Sequence, residues 1–290
     1  MNKTFLLISL LVFICSIALA QDKKGLKVFI SVDMEGLTGV VNWEEVSRDG
    51  KDYDYFRNIM AKETNAAIMG ALEAGVTEII VRDSHGSARN ILPDMLIKHA
   101  KLLRDWSGSH KSMMEGIDKT FDAVVFIGYH AKAGTPDATL EHTMSGSIMD
   151  VSINGISLPE AGINALIAGY YNVPVVFLSG DLAICKQATE LFGELETVAV
   201  KEGIGKAALN LHPDVAYEKI KKGVKTALSN LTKYKPYKLK PPYKMLLTLK
   251  KEELVNEKSF YPGAERTGDW ELTYKSNDIM EIMKAFRWMH

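Results

Sequence analysis

Short, near-continuous runs of β-branched and aromatic apolar residues recur along this chain, separated by segments with helical spacing. The first run, Leu26 to Val32 (LKVFISV), has almost nothing polar to turn toward water. A strand of that composition is buried on both faces, a condition met when helices cover both sides of a parallel sheet. Glu78 to Val81, Asp122 to Ile127 and Val173 to Leu178 are further short strands. Tyr53 to Glu73 places Phe56, Ile59, Met60, Ala67 and Leu72 at helical intervals, and Gly75 stands where a helix would stop. Glu160 to Tyr171 and Asp181 to Phe192 read as helices as well. The alternation predicts an α/β fold: βαβ units building a mostly parallel sheet flanked by helices.

Two features depart from that rhythm. Ile148 to Ile153 and Ile156 to Leu158 flank Asn154-Gly155, a strong short-range hairpin signal. After Glu202 the texture changes to a Lys-rich helix, roughly Pro213 to Leu228, and a linker-like stretch holding Pro236, Pro241 and Pro242. A strand (Lys244 to Leu249), a short helix, a strand (Trp270 to Tyr274) and a final helix follow. The 290 residues suit one or two domains at about 100–200 residues each. We therefore expect an α/β domain over 21–202 and a smaller α+β domain over 203–290. The hairpin insert, about 143–158, is a candidate member of the second.

The first twenty residues read as an export signal. Lys3 gives a basic start, Phe5 to Ile17 form an apolar run, and Ala18-Leu19-Ala20 supplies a cleavage site ahead of Gln21. The run is short for a membrane helix, and Ile14 before Cys15 disfavours a lipoprotein. The expected location is periplasmic or secreted, with no membrane attachment after cleavage. Loss of Lys3 takes the net charge from −1 to −2, and with no basic excess a nucleic-acid partner is not expected. Of the two cysteines, Cys15 leaves with the signal, and Cys185 is expected to be a buried, inert thiol.

Chemistry collects at the predicted strand ends. Asp33-Met34-Glu35-Gly36 closes the first strand, and residues two apart share a strand face, so Asp33 and Glu35 can converge. Asp83-Ser84-His85-Gly86 and Gly128-Tyr129-His130 end two more. In open α/β sheets ligands gather beyond these carboxyl ends. Imidazole with carboxylate suits zinc and related divalent ions. Each feature also has a plain alternative: a solvated Asp/Glu loop, a helix-capping Asp83 or Ser84, a first-turn acid at Glu160, a packing histidine at His142. His99, His110, His212 and His290 lie in no such setting and read as structural. No nucleophile elbow, phosphate loop, His-Glu-x-x-His helix or dinucleotide fingerprint is present.

Taken together these motifs resemble the zinc-dependent D-aminopeptidases of the DppA type. The match runs in order through Ser31-Val-Asp33-Met-Glu35-Gly36, Asp83-Ser-His85, Gly128-Tyr-His130-Ala131, His142-Thr-Met144 and Glu160-Ala-Gly162-Ile-Asn164-Ala165. The resemblance implies that Asp33, Glu35, His85, His130 and Glu160 are metal ligands and that His142 is the catalytic residue, assigned there as the nucleophile. It also implies an α/β domain with a second α+β domain, and ring-shaped homo-oligomers, decameric in the family, around a chamber. The front of the chain differs, because an export signal replaces a cytosolic start.

Five ligands exceed the roughly three that one catalytic zinc takes from protein, so two Zn2+ per chain are expected, with Asp33 the best bridge. Two ions about 3.5–4 Å apart can activate water and polarise a peptide carbonyl. His142 could attack, shuttle a proton or stabilise an oxyanion. The leading expectation is an aminopeptidase releasing N-terminal residues, D-configured ones first, from short peptides. The alternatives are another di-metal amidase or phosphoesterase, and a non-catalytic periplasmic peptide-binding protein.

Overall fold

The computed structural model describes residues 25–290; the export signal read at 1–20 lies outside the described residues. A seven-stranded sheet forms the larger layer, in the order β3-β2-β1-β4-β7-β8-β9. Its strands are β1 (Leu26–Val32), β2 (Val76–Asp83), β3 (Lys101–Leu103), β4 (Ala123–Tyr129), β7 (Val175–Asp181), β8 (Glu196–Ile204) and β9 (Ala207–Asn210). All neighbours are parallel except β8 and β9. Central β1 shows why its sequence carries so little polarity. Phe29 packs in one apolar core and Val28, Ile30 and Val32 in the other, on alternate faces. β4 does the same with Val124 and Phe126 against Ala123, Val125 and Ile127. Full burial of each such side chain stabilises by about 1.5–3 kcal/mol, so both faces of the sheet are anchored.

Helix α1 (Tyr53–Glu73) covers one face and packs against α4 (Pro213–Leu228). The other face carries α2 (Glu160–Tyr170) and, beyond it, the second layer. That layer is a five-stranded antiparallel sheet, β11-β12-β10-β5-β6. It comprises β5 (Ile148–Ile153), β6 (Ile156–Ser157), β10 (Tyr243–Leu249), β11 (Glu265–Arg266) and β12 (Glu271–Ser276). Helix α5 (Glu252–Lys258) follows β10, the closing helix α6 (Ile279–Met289) touches α2, and one apolar core runs through both layers. The hairpin at Asn154-Gly155 thus pairs with β10, a strand nearly ninety residues further on. Among the described residues no helix is long and apolar enough to cross a membrane.

The boundary expected at 202 falls inside β8, which pairs with β7 of the large sheet. Nor does α4 belong to the second layer. Its lysines face outward, while Ala216, Ile220, Val224 and Ala227 are buried toward α1 and the large sheet. The change of composition marks a solvent-facing side of the helix and no change of layer. The short or half-exposed strands β3, β8 and β9 lack the apolar run that betrays the central ones.

One junction determines where the chemistry lies. Asp33 N donates to Ile127 O at 2.8 Å and Gly36 N to Gly128 O at 2.8 Å, stitching the ends of β1 and β4 together. A Cβ at Gly36 would collide with the Tyr129 carbonyl, and Gly128 sits at φ +69° against the Asp33 carbonyl. Only glycine tolerates both demands, and this close approach sets His130 beside Asp33.

Candidate metal centre

Asp33 and Glu35 leave the end of β1, His85 follows β2, His130 follows β4, and Glu160 opens α2. All five are buried, so the carboxyl edge of the parallel sheet holds three carboxylates and two imidazoles out of bulk water. Asp33 is the hub. Its Oδ1 lies 3.2 Å from His85 Nδ1, which is also 2.9 Å from Glu35 Oε2. Its Oδ2 lies 3.5 Å from His130 Nε2, which is 3.4 Å from Glu160 Oε1. One carboxylate therefore faces two imidazole–carboxylate pairs, one through each oxygen.

The histidines are oriented from behind. His85 Nε2 donates to Val46 O at 2.9 Å and His130 Nδ1 to Ala131 O at 3.0 Å. Those bonds use one nitrogen of each ring as a donor and turn the other toward carboxylate oxygens, where it can hold a proton or, once that proton is lost, offer a lone pair to a cation. His130 Nε2 has no hydrogen-bond partner although fully buried. Lone pair facing anion is repulsive unless positive charge lies between them. The donor set therefore fits divalent cations, and the orphaned nitrogen is where one would be held.

The electrostatics show the same demand for positive charge, met here by protons on the imidazoles. Burial disfavours charge on His85, yet Glu35 and Asp33 raise it well above its ordinary value. Burial likewise opposes a charged His130, which Glu160, Glu35 and Asp33 lift to about 10. Burial and then Glu35 push Asp33 up to about 7. Glu35 and Glu160 stay below the usual carboxylate range despite burial, held there mainly by His85 and His130 respectively. Three carboxylates thus share their buried site with two imidazoles that they hold in the charged form.

His142 joins the group from the loop before β5. Its Nδ1 donates to Leu140 O at 2.9 Å, and its Nε2 lies 3.5 Å from Glu160 Oε1 and 4.0 Å from Glu35 Oε1. The ring stacks on His130 with centroids 4.1 Å apart, and Trp43 meets it edge-on at 5.3 Å. Leu140 (φ +57°) and Met144 (φ +60°) on either side occupy left-handed conformations that non-glycine residues rarely adopt, a cost of about 1–3 kcal/mol each. Met144 N donates to Glu160 Oε1 at 2.6 Å, tying the loop to the cluster. Among the described residues two sets of donors are close enough to hold an ion: Asp33, Glu35 and His130, and His130, His142 and Glu160. Geometry thus leaves His142 within ligand reach as well.

Other residues brace the cluster, and Lys201 among them carries no sequence signature. Lys201 of β8 is buried and donates to the backbone carbonyls of Glu35 and Val40, pinning the loop after β1; burial lowers its ammonium to about 8. Asp83 does not join the cluster. Its carboxylate accepts from the backbone of Asn90 and Ile91, and Asn90 Nδ2 reaches the His85 carbonyl, so Asp83 braces the His85 loop. His290, read above as structural, lines the cavity together with Arg287. Cys185 is buried in the apolar core from α3 (Leu182–Phe192), with its thiol pushed up to about 12 by burial and Asp181, as inert as expected.

The cluster floors a cavity of about 630 Å³, within the range of small-molecule sites. Residues 26–288 match the family model described as D-aminopeptidase. The chain belongs to the D-aminopeptidase family. Within the family, the D-aminopeptidase of Bacillus subtilis (strain 168) is 36% identical over 269 residues, covering 90% of this chain and 95% of the relative. A solved family structure, described as the Zn-dependent D-aminopeptidase DppA from Bacillus subtilis, a self-compartmentalizing protease, superposes with a TM-score of 0.88. It is 33% identical, and the match covers 91% of this chain and 96% of that one. The α/β layer with its antiparallel partner is thus the family's architecture.

Proposed function

We propose that this protein is a zinc-dependent D-aminopeptidase that uses a dinuclear centre to release N-terminal residues from short peptides. The observation that carries the reading is the Asp33 carboxylate, one oxygen toward His85 and Glu35, the other toward His130 and Glu160. These five residues would hold two ions with Asp33 between them. Zinc bound there would bring the pKa of a water toward ~7 and polarise the scissile carbonyl. The protein's own part is then positional and protic. His142, its Nδ1 proton committed to Leu140 O, turns a free Nε2 toward the cavity, where it can take a proton or attack. Trp43 and the strained backbone at Leu140 and Met144 keep that ring in place. The buried floor excludes bulk water, which strengthens each of these interactions.

Wild-type protein is expected to cleave D-alanyl amides and dipeptides faster than their L counterparts and to leave phosphate esters intact. Activity should vanish with a chelator and return with Zn2+. Preferential cleavage of phosphate esters would favour the other di-metal reading, and a metal-free protein that only binds peptides would end the catalytic one.

Export and assembly belong to the same proposal. The first twenty residues support processing before Gln21 and a periplasmic or secreted protein. A self-compartmentalizing relative and the exposed Phe260 and Trp288 support a homo-oligomer that shields its active sites. The processed protein should begin at Gln21 and scatter light as a multimer at concentrations where it is active. A fully active monomer of about 30 kDa, the 32.2 kDa chain less its signal, would remove the assembly from the proposal.

A further inference from the structure

The chain has seven arginines, and five have protein partners. Arg57 bonds the Asn90 carbonyl, Arg82 that of Asp105 and Arg104 that of Arg89; Arg89 faces Asp105, and Arg266 pairs with Glu252. Among the described residues Arg48 and Arg287 have neither an ion pair nor a side-chain hydrogen bond, and these are the two arginines that line the metal cavity. Apart from the acids and histidines of the candidate centre, and His290, they are the only titratable residues on its wall among the described residues. Arg287 is half-buried on α6 of the second layer; Arg48 is exposed on the loop between β1 and α1. The cavity therefore has a floor of carboxylates and imidazoles and a wall that offers two guanidinium groups without protein partners.

Arg287 lines the cavity without a protein acceptor, and its planar fork matches a carboxylate with two parallel hydrogen bonds. We infer that Arg287, assisted by Arg48 at the mouth, binds the terminal carboxylate of the peptide substrate. The inference rests on the aminopeptidase reading and deepens it. A scissile bond at the floor and a carboxylate at the wall set the length of the preferred substrate: a peptide of few residues with a free C-terminus. Chains whose carboxyl end lies beyond the reach of Arg287 forfeit the contact.

The test compares D-alanyl-glycine with its C-terminal amide, which keeps the scissile bond and loses the negative charge. Hydrogen bonds to a charged group correspond to a factor of about 10–100 in affinity, so wild type should favour the acid by at least about tenfold in kcat/KM. Arg287→Gln should bring that ratio toward one, chiefly through KM for the acid, while Arg287→Lys keeps the charge and part of the preference. Arg48→Gln, at an exposed site where folding is not at stake, should lower the ratio less and in the same direction. Equal wild-type kcat/KM for acid and amide, or an unchanged ratio in Arg287→Gln of normal metal content and melting temperature, overturns the inference and leaves the aminopeptidase standing. A wild type that hydrolyses neither compound removes both.

Discussion

Asp33→Ala is expected to lose metal and activity together. Wild-type protein should carry near two zinc equivalents per chain, and the variant one or fewer, with kcat/KM down by at least about a thousandfold. That factor corresponds to about 4 kcal/mol of transition-state stabilisation, in line with the several kcal/mol that metal catalysis supplies. The reason lies in the hub geometry. His85 with Glu35 and His130 with Glu160 each face a different oxygen of the same carboxylate, so in the proposed dinuclear centre removing it would strip a ligand from both halves at once. Glu160→Ala or His85→Ala, each confined to one half, should lower occupancy less. Because an ion that binds only the folded state stabilises it, roughly 2.7 kcal/mol at a hundred times its Kd, chelation should also lower the melting temperature of wild type, and by more than that of Asp33→Ala. Metal analysis beside steady-state kinetics checks this. A metal-free preparation with full activity would falsify the dinuclear reading.

His142→Ala is expected to abolish turnover at unchanged metal content. Its Nε2 is turned toward Glu160 and Glu35, yet the ring stacks beside His130 and stays less buried than the five residues beneath it. A residue that acts only on the reacting atoms lowers kcat and kcat/KM together and leaves the ground-state complex intact. General acid–base catalysis alone contributes about 10²–10⁴-fold, so a loss of at least about a hundredfold is the expected floor. His142→Gln keeps a hydrogen-bonding side chain without a basic nitrogen and should be as inactive as the alanine variant. The competing outcome is specific: since His142, His130 and Glu160 are near enough to share an ion, a drop in zinc in His142→Ala would make His142 a ligand.

Much of this was open to a reader of the sequence because the chemistry sits at ends of strands whose composition announces them. β1 and β4 are apolar on both faces and therefore legible, and in a parallel sheet their carboxyl ends are brought to one edge whatever the loops do. That suffices to bring Asp33, Glu35, His85 and His130 together. The spacing of two between Asp33 and Glu35 and the glycines at 36 and 128 are local facts with local consequences. Family membership follows from the same residues, since the motifs that span the chain are the ones that surround the cavity.

What the tertiary structure alone decided depends on contacts between residues far apart in the chain. Helix α4 looks from its lysines like part of the second layer, but its buried stripe finds α1 and the large sheet. β8 crosses the boundary that composition suggested, because backbone pairing with β7 is invisible in side-chain type. Glu160 could have been only a first-turn acid until α2 was laid against β4. Lys201 and Glu35 are 166 residues apart, as are no motif partners, and only the sheet order puts that ammonium under the loop. The state of each histidine depends on a backbone carbonyl, at Val46, Ala131 or Leu140, that any residue could supply. Arg287 lies at the end of a helix whose sequence signals only an amphipathic stripe, and the packing of that helix across α2 carries it to the cavity wall. Local pattern specifies where a strand ends and what it offers there; which distant groups come to meet it is settled by packing, to which each residue contributes without recording its partner.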